Sequence, residues 1–407
     1  MSSPQALPQV GIGLVGTGFL AETRARCYAR AWGVDARLVA VASGRPERAQ
    51  AFAAAHGIQA ACQNFEELLS MSEVDMVDLC VPNHLHRPFT EAAAAAGKHV
   101  VCTKPLAAYV GQDLPKDAPD SAVSAVPRRS MLASAIQDAE SMVKACQAAG
   151  VRLAYGENWI YAPPIVRATE LMLASKGSVL EMRGWESHSG SHSPYSKLWR
   201  HTGGGALIRL GAHPIGAMLH IKREEGLARD GKPIVPVSVT AEVADLAPAA
   251  LAAAKSGAES HVATGWEDVE NWGCCMIAFS DGTRGVVYGS DVLLGGMQSR
   301  LEVFASNHRL ECNLSPHDQL RGYAPDEAVL GKQYVMEKAS TSAGWNTFLP
   351  GEDESSGHAA MCRDFALAIA EDREPVANGA LGLEVTRLVY SAYVAADEGR
   401  RIALNHP

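Results

Sequence analysis

The sequence is short of the features that place a chain in a membrane or on nucleic acid. Its 407 residues include no apolar run long enough to span a bilayer, since the alanines at 92–96 belong to a helical pattern. Lys and Arg never form a run, and 36 basic against 45 acidic side chains leave a formal charge of −9. That balance argues against a nucleic-acid footprint, so neither nucleic acid nor membrane is expected as a partner. Residues 1–8 have neither the charged start nor the apolar stretch of a secretory leader, and a cytoplasmic protein is expected. The nine cysteines are odd in number and stand singly or as the neighbours Cys274 and Cys275, never as C-x-x-C. Reduced, mostly buried thiols are the expectation rather than a disulfide framework. His84 with His86, and His188 with His192, lack a Cys at ligand spacing, and no metal is expected.

What is present is 47% hydrophobic residues over a length that suits two domains and a large core. Near the start, the apolar run Val10-Gly11-Ile12-Gly13-Leu14-Val15 leads into Gly16-Thr17-Gly18, and a helical stretch follows from about residue 20 to 32. Strand, glycine turn and helix in that order suit a dinucleotide: Gly16 permits the tight turn, Gly18 lets the backbone approach a pyrophosphate, and small Ala21 allows close packing. The helix start then offers free N–H groups to the phosphates. Further strands are read at 38–42, 74–81, 98–102 and 151–155, with helices at 46–56 and 88–96 between them. This alternation implies a doubly wound parallel sheet with ligands at the C-terminal strand ends. Those ends carry Ser43-Gly44-Arg45, then Pro82-Asn83-His84-Leu85-His86, then Thr103-Lys104-Pro105. An acidic residue that would hold ribose hydroxyls is missing at the first of them, and Arg45 is compatible with a 2′-phosphate, with stacking on adenine, or with solvent.

The second half changes character. Strands are read at 177–185, 237–243, 270–279, 284–291, 300–305 and 308–313, with Ser280-Asp281-Gly282-Thr283 as a hairpin turn. Helices are read at about 164–174, 213–221, 354–370 and 380–396. Residues 109–129, rich in Pro, Asp and Ser, read as an inserted loop with the character of a lid, and 244–265 as a second solvated excursion. A wide sheet with an uncovered face favours a homo-dimer or homo-tetramer built through that face. Between these strands lies Gly203-Gly204-Gly205-Ala206-Leu207-Ile208-Arg209-Leu210-Gly211-Ala212-His213.

Taken together, Gly16-x-Gly18-x-x-Ala21, Pro82-Asn83-x-x-His86, Thr103-Lys104-Pro105, the 203–213 segment and Tyr390-Ser391-Ala392-Tyr393 with Glu398-Gly399-Arg400 resemble the Gfo/Idh/MocA oxidoreductases. The resemblance implies an α/β protein in which an N-terminal Rossmann doubly wound parallel sheet precedes a C-terminal α+β domain with a large open, mostly antiparallel sheet. It implies a dinucleotide-binding domain at 1–157 carrying the 109–129 insertion. A substrate-binding and oligomerisation domain at 158–407 follows, its last helix returning toward the first. NAD(P)+ is the implied cofactor, contacted by Gly16, Gly18, Phe19, Leu20, Ser43, Arg45, Pro82, Asn83, His86, Lys104 and Asn158. Lys104 and His213 carry over as the groups beside the nicotinamide: His213 as the base that takes the alcohol proton, Lys104 as the cation on the same oxygen.

Two departures bear on substrate. Thr103 replaces the family's Glu, and Arg209 replaces an Asp four residues before His213. A guanidinium there suits a substrate carboxylate, with Arg200, His188, His192 and Tyr195 as further candidates for an anionic small molecule. The alternative is an internal salt bridge at Arg209. The loop at 188–195, Trp199-Arg200-His201 and Arg209 also resemble the phthalate 4,5-cis-dihydrodiol dehydrogenase branch, which implies NAD+ and oxidation of a carboxylated cyclic diol to a dihydroxy-aromatic acid. A sugar or inositol dehydrogenase of the same family is the nearest alternative, and a non-catalytic nicotinamide-binding sensor the alternative of another class.

Overall fold

The short apolar runs of the first 160 residues assemble, in a computed structural model, into one parallel sheet. The structure describes residues 6–191, 193–316, 320–330, 341–347 and 351–404. Strands β1 (Gln9–Val15), β2 (Asp35–Ala42), β3 (Ala60–Cys62), β4 (Met76–Leu79), β5 (His99–Thr103) and β6 (Leu153–Gly156) lie in the order β3-β2-β1-β4-β5-β6, every pairing parallel. Val10, Ile12, Leu14, Val41, Val77 and Val101 are buried, as strands covered on both faces require. The order reverses between β1 and β4, which is where such sheets open a ligand crevice at their C-terminal ends. Strand β3 and the helix Phe65–Ser70 were not anticipated: three residues of Ala and Cys are too few to carry a periodicity.

A second sheet contains β7 (Val179–Ser187), β8 (Pro236–Ala244), β9 (Trp272–Phe279), β10 (Arg284–Ser290), β11 (Gln298–Ala305), β12 (Arg309–Asn313) and the short β15 (Ile402–Ala403), in the order β12-β11-β7-β10-β9-β8-β15. All neighbours are antiparallel except β7 with β10. The expected turn at 280–283 joins β9 to β10, with Gly282 at φ +88. Two further strands, β13 (Arg321–Ala324) and β14 (Gly344–Thr347), form a separate ribbon. One sheet face packs on the helix Ala212–Asp230, whose Met218 is buried against it. On the other face Met276 and Tyr288 remain 46% and 41% exposed.

The chain divides into two compact units that interleave along the sequence. Met1–Ala108, Ala133–Tyr161 and Gly357–Thr386 form the first; Tyr109–Leu132, Ala162–Ser356 and Arg387–Pro407 form the second. A single crossing at 157/158 is therefore replaced by five. The reasons are local. Helix His358–Ala370 brings Met361 and Cys362 onto Arg24 of helix Phe19–Tyr28. The inserted segment is tied to the second unit, where the Trp199 indole donates to the Tyr109 carbonyl at 3.1 Å and Arg200 Nε to Asp120 at 2.6 Å. The insertion is also not a plain loop: Tyr109, Val110 and Gly111 are buried, and Asp120–Ser124 is helical. The excursion after β8 likewise carries a short helix, Ala247–Ala254.

Inside the first unit, fully buried Arg24 faces Asp78 of β4 at 3.4 Å, and the Tyr28 hydroxyl donates to the same carboxylate at 2.8 Å. Burial pushes the Asp78 carboxyl up and the guanidinium opposes it. Asp78→Asn strands the Arg24 charge in the interior, and losing one partner of a buried pair costs about 3–5 kcal/mol. The expected outcome is a clearly lower urea-unfolding midpoint for this variant. A midpoint equal to the parent's would show that Arg24 does not depend on Asp78.

Candidate functional site

In the first unit the site is built at the C-terminal edge of the parallel sheet. Gly16 follows β1 at φ +109, and a Cβ there would lie 2.2 Å from the Cys80 carbonyl oxygen; the turn requires glycine on both counts. Gly18 precedes helix Phe19–Tyr28 with no side chain capping it, and a Cβ on Gly18 would meet nothing within 4 Å. An uncapped helix start beside open space fits a pyrophosphate, whose oxygens would take the first N–H groups. Phe19 is exposed and Leu20 half-buried along the same edge. At the end of β2, the Ser43 hydroxyl lies 3.4 Å from that of Thr17 and accepts from the Arg45 N–H, while the Arg45 side chain is exposed.

Farther along the edge, Pro82 is exposed and half-buried Asn83 opens a 3₁₀ turn, Asn83–Leu85. Lys104 is half-buried at the end of β5, joined to Pro105 by a cis peptide. Asn158 is buried after β6, its carbonyl accepting from Tyr161 N. His86 departs from its expected place among the cofactor contacts. It is 1% exposed, and both ring nitrogens face backbone carbonyls of its own unit. Its role is internal.

In the second unit, the glycine-rich segment is locked by a carboxylate that the sequence reading assigned only to a strand. Glu270 Oε2 accepts from Gly205 N at 2.9 Å; Oε1 accepts from Leu207 N at 3.0 Å and from the Tyr393 hydroxyl at 2.7 Å. The Glu270 carbonyl takes Ala206 N at 3.0 Å. Burial pushes the Glu270 carboxyl up, and these donors pull against it. One helical turn away, the Tyr390 hydroxyl donates to the Gly203 carbonyl at 2.8 Å and accepts from Tyr109 N at 2.7 Å. The approach is so close that a Cβ on Gly204, at φ +147, would lie 2.2 Å from the Tyr393 oxygen. A π-helical turn, Leu207–Gly211, then leads into helix Ala212–Asp230, and His213 stands in its first turn, 7% exposed. Tyr390 and Tyr393, three apart on the last helix, share one face. That spacing was the available signal; Glu270, ahead of an apolar strand, offered none.

Arg209 takes the internal alternative. Its Nη1 and Nη2 donate to the two carboxylate oxygens of fully buried Asp291 at 2.8 and 3.1 Å, and its guanidinium lies over the Trp266 ring at 5.7 Å. Arg200 is likewise engaged, with Asp120 and the carbonyls of Ala118 and Pro119. The expected anion site at these two arginines is thereby corrected: both forks hold carboxylates of the chain itself. His188 is buried, and its Nδ1 accepts from Gly190 N at 3.0 Å, which puts the ring proton on Nε2. Its 3.4 Å approach to Asp291 through Nδ1 is then no ion pair. Tyr195 is 65% exposed, edge-on to His201. His192 lies outside the described residues.

Two outcomes follow. Arg209→Ala leaves the Asp291 carboxylate buried without its bidentate partner, a loss of about 3–5 kcal/mol, so thermal stability should fall and KM should rise alike for neutral and carboxylated substrates. A rise confined to carboxylated ones would return Arg209 to the substrate. Tyr393→Phe removes the O–H from Glu270 and an acceptor from Ile208 N, costing about 1–3 kcal/mol by the usual penalty for stranded buried polar groups; chemical denaturation measures it, and no loss would remove this tyrosine from the lock.

Residues 10–114 match the family model described as the oxidoreductase family with an NAD-binding Rossmann fold, GFO_IDH_MocA. Levoglucosan dehydrogenase of Pseudarthrobacter phenanthrenivorans is 33% identical over 107 residues, 25% of this chain and 27% of that protein. Inositol 2-dehydrogenase of Rhizobium meliloti is 35% identical over 97 residues, 24% of this chain and 28% of that protein. The chain thus matches little more than a quarter of the length of these curated relatives. Solved structures extend the likeness in fold to nearly the whole chain. GenD2 from gentamicin A biosynthesis, in complex with NAD, superposes with a TM-score of 0.76 at 23% identity, covering 99% of this chain and 98% of that one. A levoglucosan dehydrogenase with NADH and L-sorbose does so with 0.68 at 18%, covering 98% and 100%. Residues 10–114 are thus similar to the NAD-binding Rossmann domain of the Gfo/Idh/MocA oxidoreductases.

Proposed function

We propose that the protein is an NAD(P)-dependent dehydrogenase oxidising a secondary alcohol of a neutral polyhydroxylated molecule of the sugar or inositol class. The observation that carries the reading is the uncapped helix start at Gly18, beside open space, within the domain that matches the NAD-binding family. Relatives named levoglucosan dehydrogenase, inositol 2-dehydrogenase and D-apiose dehydrogenase support the substrate class. A nicotinamide dinucleotide held at the Gly16–Gly18 turn and the helix start would supply the hydride acceptor. His213 is the general base that takes the hydroxyl proton. Lys104 is the cation that the family resemblance assigns to the developing negative charge.

The narrower reading, a carboxylated cyclic diol such as the cis-4,5-dihydrodiol of phthalate, needs an anion anchor. Arg209 and Arg200 were its candidates, and Asp291 and Asp120 fill them. The neutral polyol is therefore the reading put forward. The uncovered sheet face, where Trp185, Tyr288 and Cys274 lie in register across β7, β10 and β9, supports a homo-dimer or homo-tetramer, which light scattering reads directly.

The test is reduction of NAD+ and of NADP+ with a panel of polyols, anhydrosugars, aldoses and carboxylated ring diols. Turnover is expected with neutral polyols. Tight cofactor binding with no turnover across the panel would instead make the protein a nicotinamide-binding sensor. Lys104→Ala and His213→Ala are each expected to lose about 10²–10⁴ in rate, the usual worth of such groups, with cofactor affinity nearly intact. Parent-like turnover in His213→Ala would eliminate the proposed base.

A further inference from the structure

The pairing of β4 with β5 ends at Leu79 and Cys102, just short of the two loops that line the cofactor edge. Beyond that point the backbones are joined by a side chain. His86, first residue of helix His86–Ala95, places Nε2 3.1 Å from the Val81 carbonyl oxygen, on the loop after β4. Its Nδ1 lies 3.0 Å from the Pro105 carbonyl and 3.3 Å from that of Leu106, on the loop after β5. Carbonyls only accept, and a neutral imidazole carries one N–H, so the ring donates to the carbonyl on one side and meets the other side by packing. Burial pushes the imidazole pKa down and the three carbonyls oppose it. The ring is thus enclosed, and its hydrogen-bonding capacity is directed at the peptide groups on either side.

We propose that His86 is a positioning residue for Lys104: it clamps the Val81 loop to the Pro105–Leu106 turn and so fixes the backbone from which the Lys104 side chain departs. The proposal rests on the reading of Lys104 as a reacting group. Lys104 is bonded directly to Pro105, one of the two residues the ring holds, so slack in that turn displaces the ammonium. A displacement of about 1 Å at a reacting group can cost a hundredfold in rate. His86, Val81, Lys104, Pro105 and Leu106 all lie in the first unit.

The experiment compares His86→Phe, which keeps a ring and loses the N–H donor, with His86→Gln, which keeps an N–H, and with Lys104→Ala. The decisive readout needs no turnover: acetylation of the Lys104 amine by acetic anhydride across pH, followed by peptide mass spectrometry, with exposed Lys144 as internal standard. Cofactor affinity, melting temperature, kcat and KM are measured alongside. In His86→Phe the Lys104 labelling profile is expected to shift relative to Lys144, and kcat to fall about 10–100-fold, the scale of a misplaced reacting group, at nearly constant KM and cofactor affinity. His86→Gln should recover part of both, and it decides on the same labelling if the Phe variant does not fold. A lower melting temperature with unchanged Lys104 labelling would overturn the proposal in favour of a merely structural ring. Weakened cofactor binding at constant kcat would overturn it in favour of a cofactor contact. Activity retained in Lys104→Ala would remove the reading of Lys104 itself, while the labelling result would still decide whether His86 positions it.

Discussion

The second unit depends on one buried carboxylate. Glu270 takes three hydrogen bonds on its side chain, two from backbone N–H groups of the glycine-rich segment and one from Tyr393. Around it the chain gives up side chains so that backbones can meet: a Cβ on Gly205 would lie 1.8 Å from the Glu270 carbonyl oxygen. The glycines are consequently not hinges in the finished protein. They are the places where the start of a strand, the last helix and the entry to helix Ala212–Asp230 come within hydrogen-bonding distance. Donors to a buried charged acceptor are worth more than those to a neutral one, and here they hold the turn that delivers His213.

The first unit solves the corresponding problem with different chemistry. Its parallel strands end level, Val15 beside Ala42 and Leu79, and Leu79 beside Cys102, and the loops beyond them that must approach a ligand cannot continue the backbone ladder. His86 and Gly16 close the edge there, the one by filling space with an imidazole between carbonyls, the other by removing a side chain so that Cys80 can approach. Deeper in the unit, Arg24 and Asp78 pair out of solvent between the helix that opens at Gly18 and the strand beside it. A charge pair in that position joins the cofactor turn to the sheet, and the sulfur atoms of Met361 and Cys362 that reach Arg24 bring a helix from far along the chain into the same unit.

These contacts explain what could be read beforehand. The strands with four or more apolar residues, the Gly16 turn and the hairpin at 280–283 rest on local pattern, and local pattern found them within a few residues of their observed ends. Strand β3 and the β13–β14 ribbon have too few periodic residues to stand out. The interleaving of units follows from tertiary contacts such as Arg24 with Cys362, 338 residues apart, on which composition is silent. At the site, residue types pointed to Lys104 and His213 through resemblance, whereas Glu270 was invisible because its partners are backbone amides. His86 was assigned to the cofactor because it stands at a strand end in Pro82-Asn83-x-x-His86, and Arg209 to an anion because it replaces the family's Asp; the structure turns both inward.

Arg209 shows why polarity near a site is an ambiguous signal. The resemblance supplies an Asp at this position, and replacing it with Arg reads in isolation as reversal of local charge. Yet Asp291, at the end of β10, is fully buried and binds the guanidinium through both oxygens. A carboxylate with no access to water is stable only beside a cation or with several donors, so Arg209 and Asp291 must be present together, and the pair contributes no net charge. The exchange of Asp for Arg is therefore compensated within the chain. What it leaves in the segment is a planar guanidinium over the Trp266 ring whose charge is already committed to Asp291.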